Sequence, residues 1–260
     1  MKIKSITSYL ESIAPLSLQE EYDNSGLIVG NDADELQGAL ICIDCIEEVI
    51  DEAIKKKCNL IISHHPIIFR GLKKITGKDY VEKVVLKAIR NNISIYAIHT
   101  NLDNVIQGVN KKICDKLGLI NCKFLFPSPT EKKSGSGMIG TLVKPITEIA
   151  FLKKVKSAMK ADSLRHTNLL NKKISKVAVC GGSGSFLLGT AIADGADVFV
   201  TADFKYHQFF DAENKILIAD IGHYESEQFT KELLRDLLKQ KFPIFAPRLT
   251  EINTNPVNYL

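Results

Sequence analysis

From Ala39 to Leu117 the chain alternates short apolar runs with amphipathic segments, and this rhythm limits its fold more than any other feature. Ala39–Ile43, Asn59–Ser63 and Ile93–Ile98 are rich in Ile and Leu. Runs that are apolar on both faces belong to strands covered by helices on both sides, which is the environment of a parallel sheet. Between and after them, Glu47–Lys57, Val81–Asn91 and Val105–Leu117 space their apolar residues as helices do. The pattern predicts an α/β fold with a mainly parallel sheet flanked by helices. A helix over Ile3–Ala14, with Ile6, Leu10 and Ile13 on one face, precedes it.

The rhythm breaks at Cys122–Gly140, which holds Pro127, Pro129, Gly135 and Gly137. It then resumes. Strands are predicted at Met138–Val143, Leu164–Leu170, Ile174–Cys180, Asp197–Thr201 and Lys215–Ala219. Helices are predicted at Ile149–Lys160, Ser185–Asp194, Phe204–Asn214 and from His223 to Lys241, stopped by Pro243. The expected organisation is a first unit over residues 1–121, a crossing segment over 122–137 and a second unit over 138–260, with the C-terminal helix packing back on the first. The halves share a pattern in which a buried strand ends in polar side chains and a helix follows, as in a duplicated unit.

The length of 260 residues, with 45% hydrophobic and 25% charged, allows a sizeable core. The net charge of +4 comes from 34 basic and 30 acidic residues scattered along the chain, which argues against a nucleic-acid surface. No apolar run approaches the roughly 20 residues that span a bilayer, and Met1–Ala14 lacks a signal-type stretch. The expected location is the cytoplasm, with no membrane partner. Cys42, Cys58, Cys114 and Cys180 sit in apolar surroundings and read as small buried hydrophobes. Cys42 and Cys45 form a CxxC pair with no second pair to complete a zinc site.

Ligands of α/β proteins collect at the carboxyl ends of parallel strands. Four such ends carry polar groups: Ser63-His64-His65-Pro66, His99-Thr100-Asn101-Leu102-Asp103, Thr201-Ala202-Asp203 and Asp220-Ile221-Gly222-His223. Pro66 disfavours the helical conformation at His65, and successive extended residues project oppositely. Adjacent histidines so arranged would serve two neighbouring ions better than one; equally, one could be a strand terminus and the other a packed core histidine. His223 and Glu227 lie four apart at a predicted helix start, hence on one face, though such a pair is also common on solvated helices. Asp103 could be a ligand or a helix cap. Taken together, the five offer three imidazoles and two carboxylates. A bridging Glu227 would give one ion His65 and Asp103 and the other His64 and His223, leaving positions for water. Such a centre would attract an anionic substrate. Gly181-Gly182-Ser183-Gly184 has amides that could cradle phosphate, but it lacks a Walker or dinucleotide spacing and reads more plainly as a tight turn. Lys205 and His207 could contact substrate or move protons, or simply begin an exposed helix.

The segments Tyr22-Asp-Asn-Ser-Gly-Leu27, Ser63-His-His-Pro66, His99-Thr-Asn-Leu-Asp103, Lys205-Tyr-His207 and Gly222-His-Tyr-Glu-Ser-Glu227, in this order, resemble the dinuclear-metal family of GTP cyclohydrolase I type 2 homologues, also called NGG-interacting-factor-three-like proteins. The resemblance runs over nearly the whole chain, with Tyr22 where the family usually has Trp and Ala202 where Gly is common. It implies two similar intertwined α/β domains and a ring-shaped hexamer. It also implies two metals per subunit, one held by His64, His223 and Glu227, the other by His65, Asp103 and Glu227. Zinc, iron, manganese, cobalt or nickel would suit these donors. The implied activity is hydrolysis of GTP at guanine C8 with formate release towards a pterin, with His99, Lys205 or His207 as proton donor or substrate contact. A metal-dependent phosphoesterase or nucleotidase, and a non-enzymatic metal-binding scaffold, are the alternatives.

Overall fold

A computed structural model describes residues 1–131 and 133–260. The chain forms two compact units, each drawn from two stretches of sequence. The first comprises Met1–Leu102 and Thr230–Pro256, the second Asp103–Phe229 and Val257–Leu260.

In the first unit, α1 (Ile3–Ile13) buries Ile3, Ile6 and Leu10. Strands β1 (Gly26–Val29), β2 (Ala39–Cys42), β3 (Leu60–Ser63) and β4 (Ser94–Ala97) join the short strand Arg248–Leu249 in a sheet of order β1-β4-β3-β2-(248–249). All pairs are parallel except β1 with β4. Every residue of β2, β3 and β4 is buried, as their uninterrupted apolar sequence demands. Helices α2 (Glu47–Lys55) and α3 (Tyr80–Arg90) supply Val49, Ile50, Ala53, Val84, Val85 and Ala88 to the same core. The side chain of Asp79 caps α3 by accepting from the Glu82 amide. The register pairs Cys42 with Ser63 and Ser63 with Ala97. The residues that follow these three positions therefore emerge side by side along one edge.

In the second unit, β5 (Leu119–Pro127), β6 (Gly135–Thr147), β7 (Arg165–His166), β8 (Lys173–Ser183), β9 (Val198–Ala202) and β10 (Leu217–Asp220) form a mixed sheet of order β5-β6-β8-β9-β10-β7. Strands β8, β9 and β10 are parallel, and the remaining pairs are antiparallel. Helices α4 (Val109–Leu117), α5 (Glu148–Ala158), α6 (Leu188–Ala193) and α7 (His223–Glu227) flank it.

The expected crossing over 122–137 is instead mostly the β5–β6 antiparallel pair, and residues 103–121 belong to the second unit. The glycines read as breakers are close-approach positions. A Cβ on Gly135 would lie 2.6 Å from the Phe126 carbonyl oxygen, and one on Gly137 2.8 Å from the Leu187 side chain. The single helix expected over His223–Lys241 is two, α7 and Thr230–Lys241, the latter in the first unit. Between them Gln228 donates to the Met159 carbonyl at 2.8 Å, and Phe229 is buried beneath the Lys116 ammonium, 3.6 Å from the ring centre. Those contacts end α7. The helix expected at Phe204–Asn214 is a tighter 3₁₀ turn, Tyr206–Ala212. Of Leu164–Leu170, only Arg165–His166 pair as a strand. Among the described residues no helix is long and apolar enough to cross a membrane.

Candidate metal centre

The polar groups at the strand ends of the first unit form a cluster of three imidazoles. His64 and His65 follow β3, and His99 follows β4. The ring centres lie 5.0 Å apart for His64 and His65, and 5.3 Å from each to His99. The expectation that the adjacent rings point oppositely is thus incorrect. Strand geometry stops at Ser63, and residues 64 and 65 form a bend whose amides donate to the Cys42 and Ile43 carbonyls. The two-residue alternation has no hold there, so the steric argument for two separate ions falls away.

Each ring is oriented through Nδ1. His64, fully buried, has Nδ1 2.8 Å from the Ile98 carbonyl oxygen. His65 Nδ1 is 2.7 Å from Asp44 Oδ1, and Asp44 Oδ2 accepts from Thr254. His99 Nδ1 is 2.7 Å from Asp23 Oδ1, and Asp23 Oδ2 accepts from the Thr100 amide and hydroxyl. A carbonyl or carboxylate only accepts, so in neutral rings the proton is assigned to Nδ1 and Nε2 carries the lone pair. This is the outer hydrogen bonding that metal-binding histidines almost always have. Burial raises the Asp23 pKa, but hydrogen bonds from His99 and Thr100 and the His99 charge outweigh it. The carboxyl is held well below the usual carboxylate range.

The second unit repeats the device. Asp220, at the end of β10, accepts from the Gly222 and Phe204 amides and from Arg165. Gly222 turns the chain with φ +91°, and α7 begins at His223. His223 Nδ1 lies 2.6 Å from Asp203 Oδ2, and its Nε2 lies 3.1 Å from Glu227 Oε2. Burial lowers the His223 pKa, but the Glu227 charge and the bonds to Asp203 and Glu227 raise it to about 11. The ring therefore holds a proton between two carboxylates, where a cation of higher charge would displace it. Glu227 is buried, and so is Cys180, whose thiol is pushed up by burial and by the Asp103 and Glu227 charges. Asp103 also presents its carbonyl to Asn110 at 3.1 Å.

The Gly181–Gly184 run is committed to packing rather than to a phosphate. The Gly181 amide donates to Asn110 and the Gly182 amide to Ser226. Gly182 has φ +61°, and a Cβ there would sit 2.5 Å from Glu227 Oε1, so the bare backbone makes room for that carboxylate. Lys205 and His207 are solvent-exposed on the Tyr206–Ala212 turn, with His207 against the rings of Tyr206 and Phe210. A cavity of about 520 Å³ in this unit is lined by Tyr206, Phe209, Phe210 and Arg165; neither Lys205, His207 nor any candidate ligand lines it.

Asp23, Asp44 and Asp203 each orient one imidazole; the sequence marked the strand end of Asp203 as a candidate, but assigned none of the three to a histidine. The signal was present. Asp44 and Asp203 are acids immediately past buried parallel strands, and Asp23 lies in the polar turn before β1. The donor set suits a borderline divalent cation, with imidazole nitrogens and carboxylate oxygens and ring orientations already set.

A family model described as Duf34/NIF3 (NGG1p interacting factor 3) matches residues 1–256. A Clostridium acetobutylicum protein named GTP cyclohydrolase 1 type 2 homolog is 38% identical over 229 residues, covering 87% of this chain and 85% of its own length. The crystal structure of the Staphylococcus aureus hypothetical protein SA1388 is similar with a TM-score of 0.94 and 32% identity, covering 100% of this chain and 99% of that one. The Bacillus cereus protein related to NIF3 gives a TM-score of 0.91 at 26% identity, with the same coverage.

Proposed function

Because the chain belongs to the Duf34/NIF3 (NGG1p interacting factor 3) family, we propose that it is a metal-dependent hydrolase acting on a purine nucleotide. The proposed ligands are those that the sequence offers: His64 and His65 from the first unit, and Asp103, His223 and Glu227 from the second. Two divalent ions per chain is the stoichiometry proposed for five such ligands.

One observation carries this reading: His64, His65 and His223 each have Nδ1 bonded to an oxygen acceptor. The exposed His166 is bonded through Nδ1 only to the carbonyl of the next residue, Thr167, whereas the acceptors of these three lie 34, 21 and 20 residues away, so the fold fixes each ring and little entropy is lost when it binds. Once bound, the ions would supply a Lewis acid and an activated water. His99, steered by Asp23, is the group proposed to give or take a proton at Nε2. Lys205 and His207, both exposed, are proposed as substrate contacts rather than proton carriers.

The names of the curated relatives favour GTP as substrate, with opening of the guanine ring at C8 and release of formate. The test is a formate assay on metal-loaded protein. Formate should appear from GTP and be lost in Glu227→Ala. Phosphate release without formate would instead select a phosphoesterase, and intact GTP with every suitable metal would remove the hydrolase reading.

A further inference from the structure

Two large aromatic side chains stand in solvent beside the imidazole cluster of the first unit. Tyr22 is 64% exposed and Phe69 46%. Their ring centres are 6.1 Å apart, and Phe69 is 6.2 Å from His99 at a near-perpendicular 72°. The three rings form a row running from solvent to the histidine proposed to move a proton. A lone exposed aromatic needs no explanation. This pair is held in place. The Asn24 amide group donates to the Ile68 carbonyl at 2.6 Å, tying the segment that bears Tyr22 to the one that bears Phe69. On the other side of Tyr22 the neighbouring Asp23 is bonded to His99 and Thr100. The apolar faces are therefore kept on display rather than collapsed.

The chain beyond Phe69 adds charge. Residues 70–78, Arg-Gly-Leu-Lys-Lys-Ile-Thr-Gly-Lys, carry four cations and no acid, and Arg70, Lys73, Lys74 and Lys78 are all exposed. The loop is folded back by Glu82, which accepts from the Thr76 amide, the Thr76 hydroxyl and the Lys78 amide. A net charge of +4 for the whole chain makes a local excess of four in nine residues a marked concentration.

We propose that Tyr22 and Phe69 form a stacking shelf for a purine base, and that the Arg70–Lys78 loop neutralises the phosphates of the same nucleotide. Every nucleobase has a flat π face that stacks on such rings, and guanidinium and ammonium groups pair with phosphate. A base on this shelf is a neighbour of His99. The assignment rests on the hydrolase reading for what happens next to the base, but the binding it describes is separable from turnover.

The chain has no tryptophan, so Phe69→Trp installs a single reporter on the shelf. The full-length, metal-loaded variant is titrated with GTP, GMP, guanosine and tripolyphosphate. Emission should be quenched by GTP most tightly, then GMP, then guanosine, and left unchanged by tripolyphosphate. In equilibrium dialysis, Tyr22→Ala and Phe69→Ala should each weaken GTP binding about tenfold, with metal content and melting temperature as in the parent protein. The double substitution Lys73→Gln with Lys74→Gln should weaken GTP and GMP while sparing guanosine. Parent-like GTP affinity in both alanine variants, quenching by tripolyphosphate equal to that by GTP, or no GTP binding by the parent protein overturns the shelf. If GTP stacks as described but no formate appears, the hydrolase reading fails and the shelf stands. If formate appears with an unchanged KM in both alanine variants, the shelf fails and the hydrolase reading stands.

Discussion

Asp203 illustrates how much of the candidate centre lies in residues that hold a ligand rather than serve as one. It occupies the left-handed region at φ +59°, unusual for a residue with a side chain, and from there accepts from both His223 Nδ1 and Ser183. The His223 bond outweighs burial and keeps the Asp203 carboxyl below its ordinary pKa. Asp203→Asn keeps the shape but removes the charge that steadies the ring. Metal affinity should fall about 10- to 100-fold by isothermal titration, with little change in fold by circular dichroism; an unchanged affinity would show that His223 is not a ligand. Gly182 acts at the same scale. Gly182→Ala forces a Cβ to 2.5 Å from Glu227 Oε1 in a backbone region that favours glycine. It should destabilise the protein by roughly 1–3 kcal/mol in urea titration.

At the scale of elements, parallel strands and short, tethered connections do the positioning. Register brings the ends of β2, β3 and β4 to one edge, and Asp44, His64, His65 and His99 follow from it. The loop ahead of α3 is similarly anchored. Hydrogen bonds from the Lys78 amide and from Thr76 hold the Glu82 carboxyl at about 2, below its ordinary 4.5. Because the folded value is the lower one, the stabilisation is fully present above 4.5 and disappears as pH falls toward 2. Glu82→Gln should therefore lower the melting temperature at pH 7 and converge with the parent protein near pH 2. A gap between them that stays constant with pH would show that the carboxylate charge is not what anchors the loop. The elements that sequence reading misjudged share one cause. Gly135, Gly137 and Gly182 look like breaks in a one-dimensional pattern, whereas each is a place where a neighbouring backbone or carboxylate comes too close for a side chain.

For the whole molecule, the proposed centre links metal to stability by mass action, since ions that bind only the folded chain stabilise it. Removal of metal with a chelator should lower the melting temperature, and adding back zinc, manganese or iron should restore it. Elemental analysis should approach two ions per chain; no metal, and no gain on adding it, would end the metal reading. From the sequence resemblance alone we propose that the 28.9 kDa chain sediments as a hexamer; sedimentation as a monomer would overturn this.

The α/β class was legible in the chain because its cause is local: apolar runs too short for helices, alternating with amphipathic segments, have few other ways to be buried. The polar strand ends and the pairing of His223 with Glu227 were legible for the same reason, being matters of spacing. The partition into units was not. The return of the C-terminal helix to the first unit was an expectation of the sequence, but no local pattern records that residues 103–121 lie in the second. Nor could spacing tell that His64 and His65 lie side by side, since that depends on a bend after Ser63 held by carbonyls of a neighbouring strand end. The acid that orients each ring is equally remote, with Asp23 76 residues from His99, Asp44 21 from His65 and Asp203 20 from His223. Sequence alone determined which donors the protein has and on which strand ends they sit. Tertiary structure decided which oxygen holds which imidazole, because hydrogen bonds act over three ångströms of space and take no account of distance along the chain.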